Sequence, residues 1–185
     1  MEMSPTVTRI RIVSLILSWL CLIAIICELC FVPLIWLTPD FARDAVSYSD
    51  SLVPIPLADL QSLVGGQLAV VFITLMVPSL VLVFGLWHLR KMFLCFARNA
   101  IFEHGTIRHL KIFSIALLSQ TLLSPLAGTL TSLFVTITRP EGERAISIGL
   151  SNIEATSLFL GGLFLIISWV LGEAVSLHDE NRSFV

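Results

Sequence analysis

The segment 27-CELC-30 places two thiols, Cys27 and Cys30, around a carboxylate, Glu28, inside the apolar run LSWLCLIAIICELCFVPLIWL. These residue types admit dithiol–disulfide exchange, proton or cation binding by the acid, or plain helix packing. Exchange needs a thiolate, and apolar surroundings favour the inert thiol instead. A charged acid at the centre of a membrane helix costs about 2.5–3.5 kcal/mol, most of which a protonated acid avoids. Counting depth at about 1.5 Å per residue sets Gln67, Ser124 and Ser157 level with Glu28, so a small polar cluster is expected there. No Lys, Arg or His falls at that depth. The carboxyl is expected either to bond such neighbours or to serve a proton-coupled carrier.

The four histidines, His88, His104, His109 and His178, fall on one side of the apolar runs together with Cys95. His104 and His109 are five apart, without the i,i+4 spacing or the intervening Glu of a helical zinc site. No metal site is expected, and with no Gly-x-Ser-x-Gly, phosphate loop or dinucleotide fingerprint, no cofactor either. A four-pass chain with Cys-x-x-Cys resembles, in that feature alone, quinone-coupled thiol oxidases of the bacterial envelope. Such relays use a second cysteine pair, whereas Cys21 lies deeper in the same run and Cys95 lies on the opposite side. A thiol oxidoreductase using Cys27 and Cys30 is the least favoured of the readings, and a non-enzymatic role is expected.

The elements that carry these residues follow from composition. Of 185 residues, 56% are apolar and 13% charged, against about 25% charged in an ordinary soluble domain. The apolar residues gather in four runs, about 12–37, 63–89, 110–137 and 153–175, each as long as the roughly 20 residues that cross a bilayer as a helix. They show no period of two, and in lipid every backbone group must be satisfied within the element, so helices follow. The expectation is an all-α, integral membrane four-helix bundle, residues 1–185 forming one domain. The first run is too long for a signal peptide.

Charge gives the orientation. Arg9, Arg11, Arg90, Lys91, Arg98, Arg108, Lys111 and Arg182 lie on one side, and Arg43, Arg139 and Arg144 on the other. The side rich in Lys and Arg is cytoplasmic, which puts both termini in the cytoplasm and the acidic first loop (Asp40, Asp44, Asp50, Asp59) outside. No face is basic enough to bind nucleic acid directly, while the five cations of the central segment 88–111, which contains the elbow at 90–109, suit anionic headgroups. In that elbow Leu89, Met92, Phe93 and Phe96 recur at helical spacing, Asn99 ends the second helix, and Thr106 is placed to cap the third. Ala116, Gln120, Ser124, Gly128 and Ser132 form a small, polar ridge. Ser157, Gly161, Ser168 and Gly172 form another, the means by which membrane helices approach closely. The same ridges suit self-association.

The stretches 86-LWHLRKMFLCFARNAIFEHGTIRHLKIF-113 and 173-EAVSLHDENRSFV-185 carry a family signal. They resemble a bacterial four-pass membrane family, domain of unknown function 2975, at Leu86, Trp87, Leu89, Arg90, Phe93, Ile101, Phe102, Leu177, Glu180, Asn181 and Val185. Asn99, Thr106 and Ser183-Phe184 depart from its usual Gly, Asn and Leu-Thr. The resemblance implies a bacterial inner-membrane location and, for members encoded beside small helix-turn-helix regulators, a membrane partner for such a protein. It assigns no activity. Leu89, Arg90, Phe93, Ile101, Phe102, Leu177, Glu180, Asn181 and Val185 are the candidate docking residues for a cytoplasmic partner.

Overall fold

A computed structural model of the chain describes residues 5–37, 65–98, 103–136 and 152–183. These form α1 (Pro5–Leu37), α2 (Gly65–Ala97), α3 (His104–Thr136) and α4 (Asn152–Ser183), and no strand occurs among the described residues. At about 1.5 Å per residue, helices of 32 and 33 residues reach roughly 50 Å, well beyond a hydrocarbon core of about 30 Å.

All four outrun their apolar stretches at the same end. Relative to the runs read from hydropathy, α1 starts seven residues earlier, α2 ends eight later, α3 starts six earlier and α4 ends eight later. Hydropathy measures only the greasy length, while backbone hydrogen bonding continues into water wherever propensity and side-chain contacts allow. The extensions make a helical collar around the α2–α3 elbow. Within it α3 begins two residues before Thr106, which sits in the first turn with its N–H donating to the Glu103 carbonyl at 3.0 Å. The start of α3 is therefore set at Glu103, and Thr106 lies inside the first turn rather than at the expected capping position.

Each helix packs on its sequence neighbours, with α2 and α3 in the middle and α1 and α4 flanking them. Gly85 on α2 makes the central approach possible: a Cβ there would stand 2.8 Å from the Ala116 Cβ of α3. Toward the elbow the same interface is filled by Met92, Leu110 and Phe113, against which Leu86, Leu89, Phe93, Phe96, Leu117, Phe164 and Leu171 pack. The flanking contacts are made by smaller groups. Ser14, Ser18, Cys21 and Ile25, spaced four, three and four, are the buried seam of α1, and Gly161, Ser168 and Val175 are that of α4.

What surrounds these seams is apolar and uncovered. Trp19, Ile73, Leu122, Phe159 and Val170 are each more than 60% exposed, and no more than 28% of any span is buried within the protein. In water such a surface would aggregate. Lipid solvates it, and all four helices are long and apolar enough to cross a bilayer. The fold is an all-α, multi-pass membrane protein.

Candidate functional site

Two polar regions stand out from the packing, one at the middle of the spans and one at the elbow. In the first, Glu28 continues the buried seam of α1 and meets α2, where the Ser79 hydroxyl donates to Glu28 Oε1 at 3.0 Å. Ser79 is buried. It follows Pro78, whose missing N–H leaves the Thr74 carbonyl without its helical donor. On the other flank, Ser124 donates to Glu154 Oε1 at 3.4 Å, joining α3 to α4 next to Pro125.

The polar residues expected to surround Glu28 are thus divided. Position 67 lies 12 residues from Ser79 along α2, about 18 Å along the axis, and the Gln67 side chain lies outside the described residues. Ser124 is engaged by Glu154 on the opposite flank, and Ser157 is half-buried one turn along α4 from Glu154. Ser79 was missed because a lone serine in an apolar run carries no periodic signal; its position after Pro78 was the available clue. Other α3 hydroxyls, off the ridge, turn back on their own helix. Ser114, Thr121, Thr129 and Thr131 each donate to the carbonyl four residues back at 2.7–2.8 Å, which satisfies them within the helix. On the ridge itself Ser132 donates to the Thr129 carbonyl at 2.8 Å, and Ala116 and Ser132 are buried, Ala116 against Gly85, so this part of the ridge is packing surface.

Cys27 and Cys30 are free thiols on the exposed side of α1, whereas Cys21 is buried in its seam. Between α2 and α3 an open groove of about 400 Å³ is lined by Leu80, Val81, Phe84, Ile112, Ile115, Ala116 and Ser119. With Ser119 its sole polar lining residue, the groove suits an acyl chain and offers no anchor for a polar ligand.

The second region lies at the elbow end. His88 of α2 and His109 of α3 meet with Nδ1 atoms 2.9 Å apart and ring centroids 5.1 Å apart. Sequence spacing argued only against a helical metal site at His104 and His109; the pair that forms spans two helices and depends on their antiparallel register. Phe84 packs edge-on against His88 at 4.8 Å. Lys91 and Arg108 act electrostatically on both rings.

One turn away, the Arg90 guanidinium carbon lies 5.4 Å and the Lys91 Nζ 5.6 Å from the Trp87 ring centroid, a cation–π arrangement. Arg90 Nε is buried without a hydrogen-bond partner. Among the docking candidates, Leu89 and Phe93 are half-buried against the Met92–Leu110–Phe113 cluster and hold the elbow together. Leu177 is 53% exposed. Helix α4 continues through positions 180 and 181, whose side chains, like Ile101, Phe102 and Val185, lie outside the described residues.

Four apolar helices carried past the bilayer at one end, with histidines and cations gathered there, define a multi-pass membrane protein with a basic helical collar. Residues 36–183 match the family described as Protein of unknown function (DUF2975), and the chain belongs to that family. No curated protein and no solved structure matches it.

Proposed function

We propose that this is a non-enzymatic protein of the bacterial inner membrane, with both termini cytoplasmic, whose collar docks a cytoplasmic protein partner. The observation that carries the reading is the common overhang: four helices prolonged by six to eight residues on one side. A segment that only anchors the chain needs no such extension. The collar combines the cations Arg90, Lys91, Arg98, Arg108 and Lys111 with the exposed Leu177, which suits a partner presenting carboxylates around an apolar residue. A small helix-turn-helix regulator is the partner class that the resemblance implies.

The test is photo-crosslinking from Leu177 in cells, compared with Trp169 within the span. A discrete protein adduct from Leu177, lost on deleting residues 178–185, is expected, with lipid adducts from Trp169. Absence of any tail-dependent protein adduct would sink the reading. Orientation is checked separately with a membrane-impermeant thiol reagent on an Arg98→Cys variant lacking the native cysteines, which should react only after the cells are opened.

A second reading rests on the Glu28–Ser79 bond, a carboxyl on the packed face of α1. It makes the α1–α2 seam the site of a proton-coupled carrier. Loss of growth or flux in Glu28→Gln would support it, and an unchanged phenotype would remove it.

A further inference from the structure

The contact between His88 and His109 imposes a proton count. Two like nitrogens, both Nδ1, lie at 2.9 Å, a hydrogen-bond distance at which one must donate and the other accept. Two forms meet that condition. Both rings are neutral with complementary tautomers, or one imidazolium donates to a neutral neighbour. With both rings charged, both Nδ1 atoms carry hydrogen, and the contact becomes a clash of two donors and two like charges.

The surroundings sharpen this. From α2, Lys91 acts on both rings; from α3, Arg108 does the same. From α1 the Cys21 thiol lies within electrostatic reach of Arg90. From α4, Glu173 follows Gly172, which packs at Ile107, so one exposed carboxylate lies near this level. No carboxylate among the described residues hydrogen-bonds either ring.

A divalent metal is the wrong occupant for the site. Two fixed cations stand beside the rings, and no group of three metal-ligating side chains exists among the described residues. The proton fits: histidine is the side chain whose ordinary titration range lies near physiological pH, and the two rings come from different helices, so their contact ties α2 to α3.

We propose that His88 and His109 form a proton-operated latch between α2 and α3, which stays closed with one added proton and is driven open by the second. The inference stands apart from the partner reading, because it concerns the hairpin itself. Opening would nevertheless reshape the collar.

The test uses the full-length chain in nanodiscs and ¹⁵N-histidine NMR from about pH 8 to about pH 4. Expected for the wild type are two protonation steps more than about one pH unit apart, as for a coupled pair. His88 in His109→Gln, and His109 in His88→Gln, should each titrate in one step at a midpoint shifted from the wild type. In a Trp19→Phe, Trp36→Phe, Trp169→Phe background, Trp87 emission should follow the second step. If each ring titrates in a single step unaffected by removal of the other, or if Trp87 emission is indifferent to the second step, the latch is overturned. Should the Gln variants fail to fold, the count in a His104→Gln, His178→Gln background decides alone: one joint step rules the latch out, and two separated steps support it.

Discussion

The central α2–α3 interface and the two flanking interfaces are built from different materials. The centre closes on a glycine and fills with Met92, Leu110 and Phe113. The flanks are seams of Ser, Cys, Ile, Gly and Val, each tied by one serine hydroxyl to one carboxylate. Because lipid is as apolar as leucine, association gains nothing from removing apolar surface from water and depends on close contact and hydrogen bonds. The centre maximises contact; the flanks combine small contact with a single polar tie. The difference implies a rigid middle hairpin with outer helices that move more easily.

The largest expected effect tests the centre. Gly85→Leu must displace α3, because even the first added carbon would stand 2.8 Å from Ala116 Cβ, an atom fixed to the backbone. Overpacking of this kind typically costs about 1–3 kcal/mol, read as a lowered midpoint of unfolding in detergent. Gly161→Ala on the α4 flank meets Leu118 Cδ2 and Cγ at 2.9 Å, parts of a side chain that can rotate away. Its loss should be clearly smaller, about 1 kcal/mol or less. Equal losses would show the flank to be as rigid as the centre.

Next come the polar ties. Ser79→Ala removes the 3.0 Å bond to Glu28, and interhelical hydrogen bonds in bilayers are worth about 0.6 kcal/mol on average. Ser124→Ala removes a 3.4 Å contact with Glu154, longer than a good O–H···O bond, so a smaller loss is expected. Chemical unfolding of both variants in the same micelle checks the order. If Ser79→Ala instead lost more than about 2 kcal/mol, above the largest such coupling, Glu28 would have to be anchoring more than one helix.

Much of this was legible in the sequence, for definite reasons. Four apolar runs interpreted through lipid solvation gave the four helices and the antiparallel hairpins. Leu89, Met92, Phe93 and Phe96 gave the apolar side of the elbow, because helical spacing is a local property. What was not legible depended on register between helices. Glu28 finds Ser79 rather than the Gln67 level because depth counted from the ends of apolar runs does not fix the register between two helices. His88 and His109 are 21 residues apart and share no motif, so only the folded hairpin joins them. Thr106 misled because a good capping residue inside the first turn looks the same in sequence as one at the boundary.

The smallest expected effect is also the most discriminating between a helix face turned to lipid and one turned to protein. Gly162 adjoins Gly161, and small-residue pairs of this kind invite the assumption that both pack. A Cβ at Gly162 would meet nothing within 4 Å, which puts it beside the seam. In water, replacing a helical glycine with alanine would stabilise by about 0.8–1.0 kcal/mol through helix propensity. In hydrocarbon the unpaired helix is already helical, since its backbone groups have no other partners, so that gain largely disappears. Gly162→Ala is therefore expected to leave the unfolding midpoint within about 0.5 kcal/mol of the parent, the usual range for a surface change that touches nothing. A loss well beyond that, accompanied by a shift in size on native electrophoresis, would mean that a second copy of the chain rests on this face, and the flank would join the centre as a contact surface.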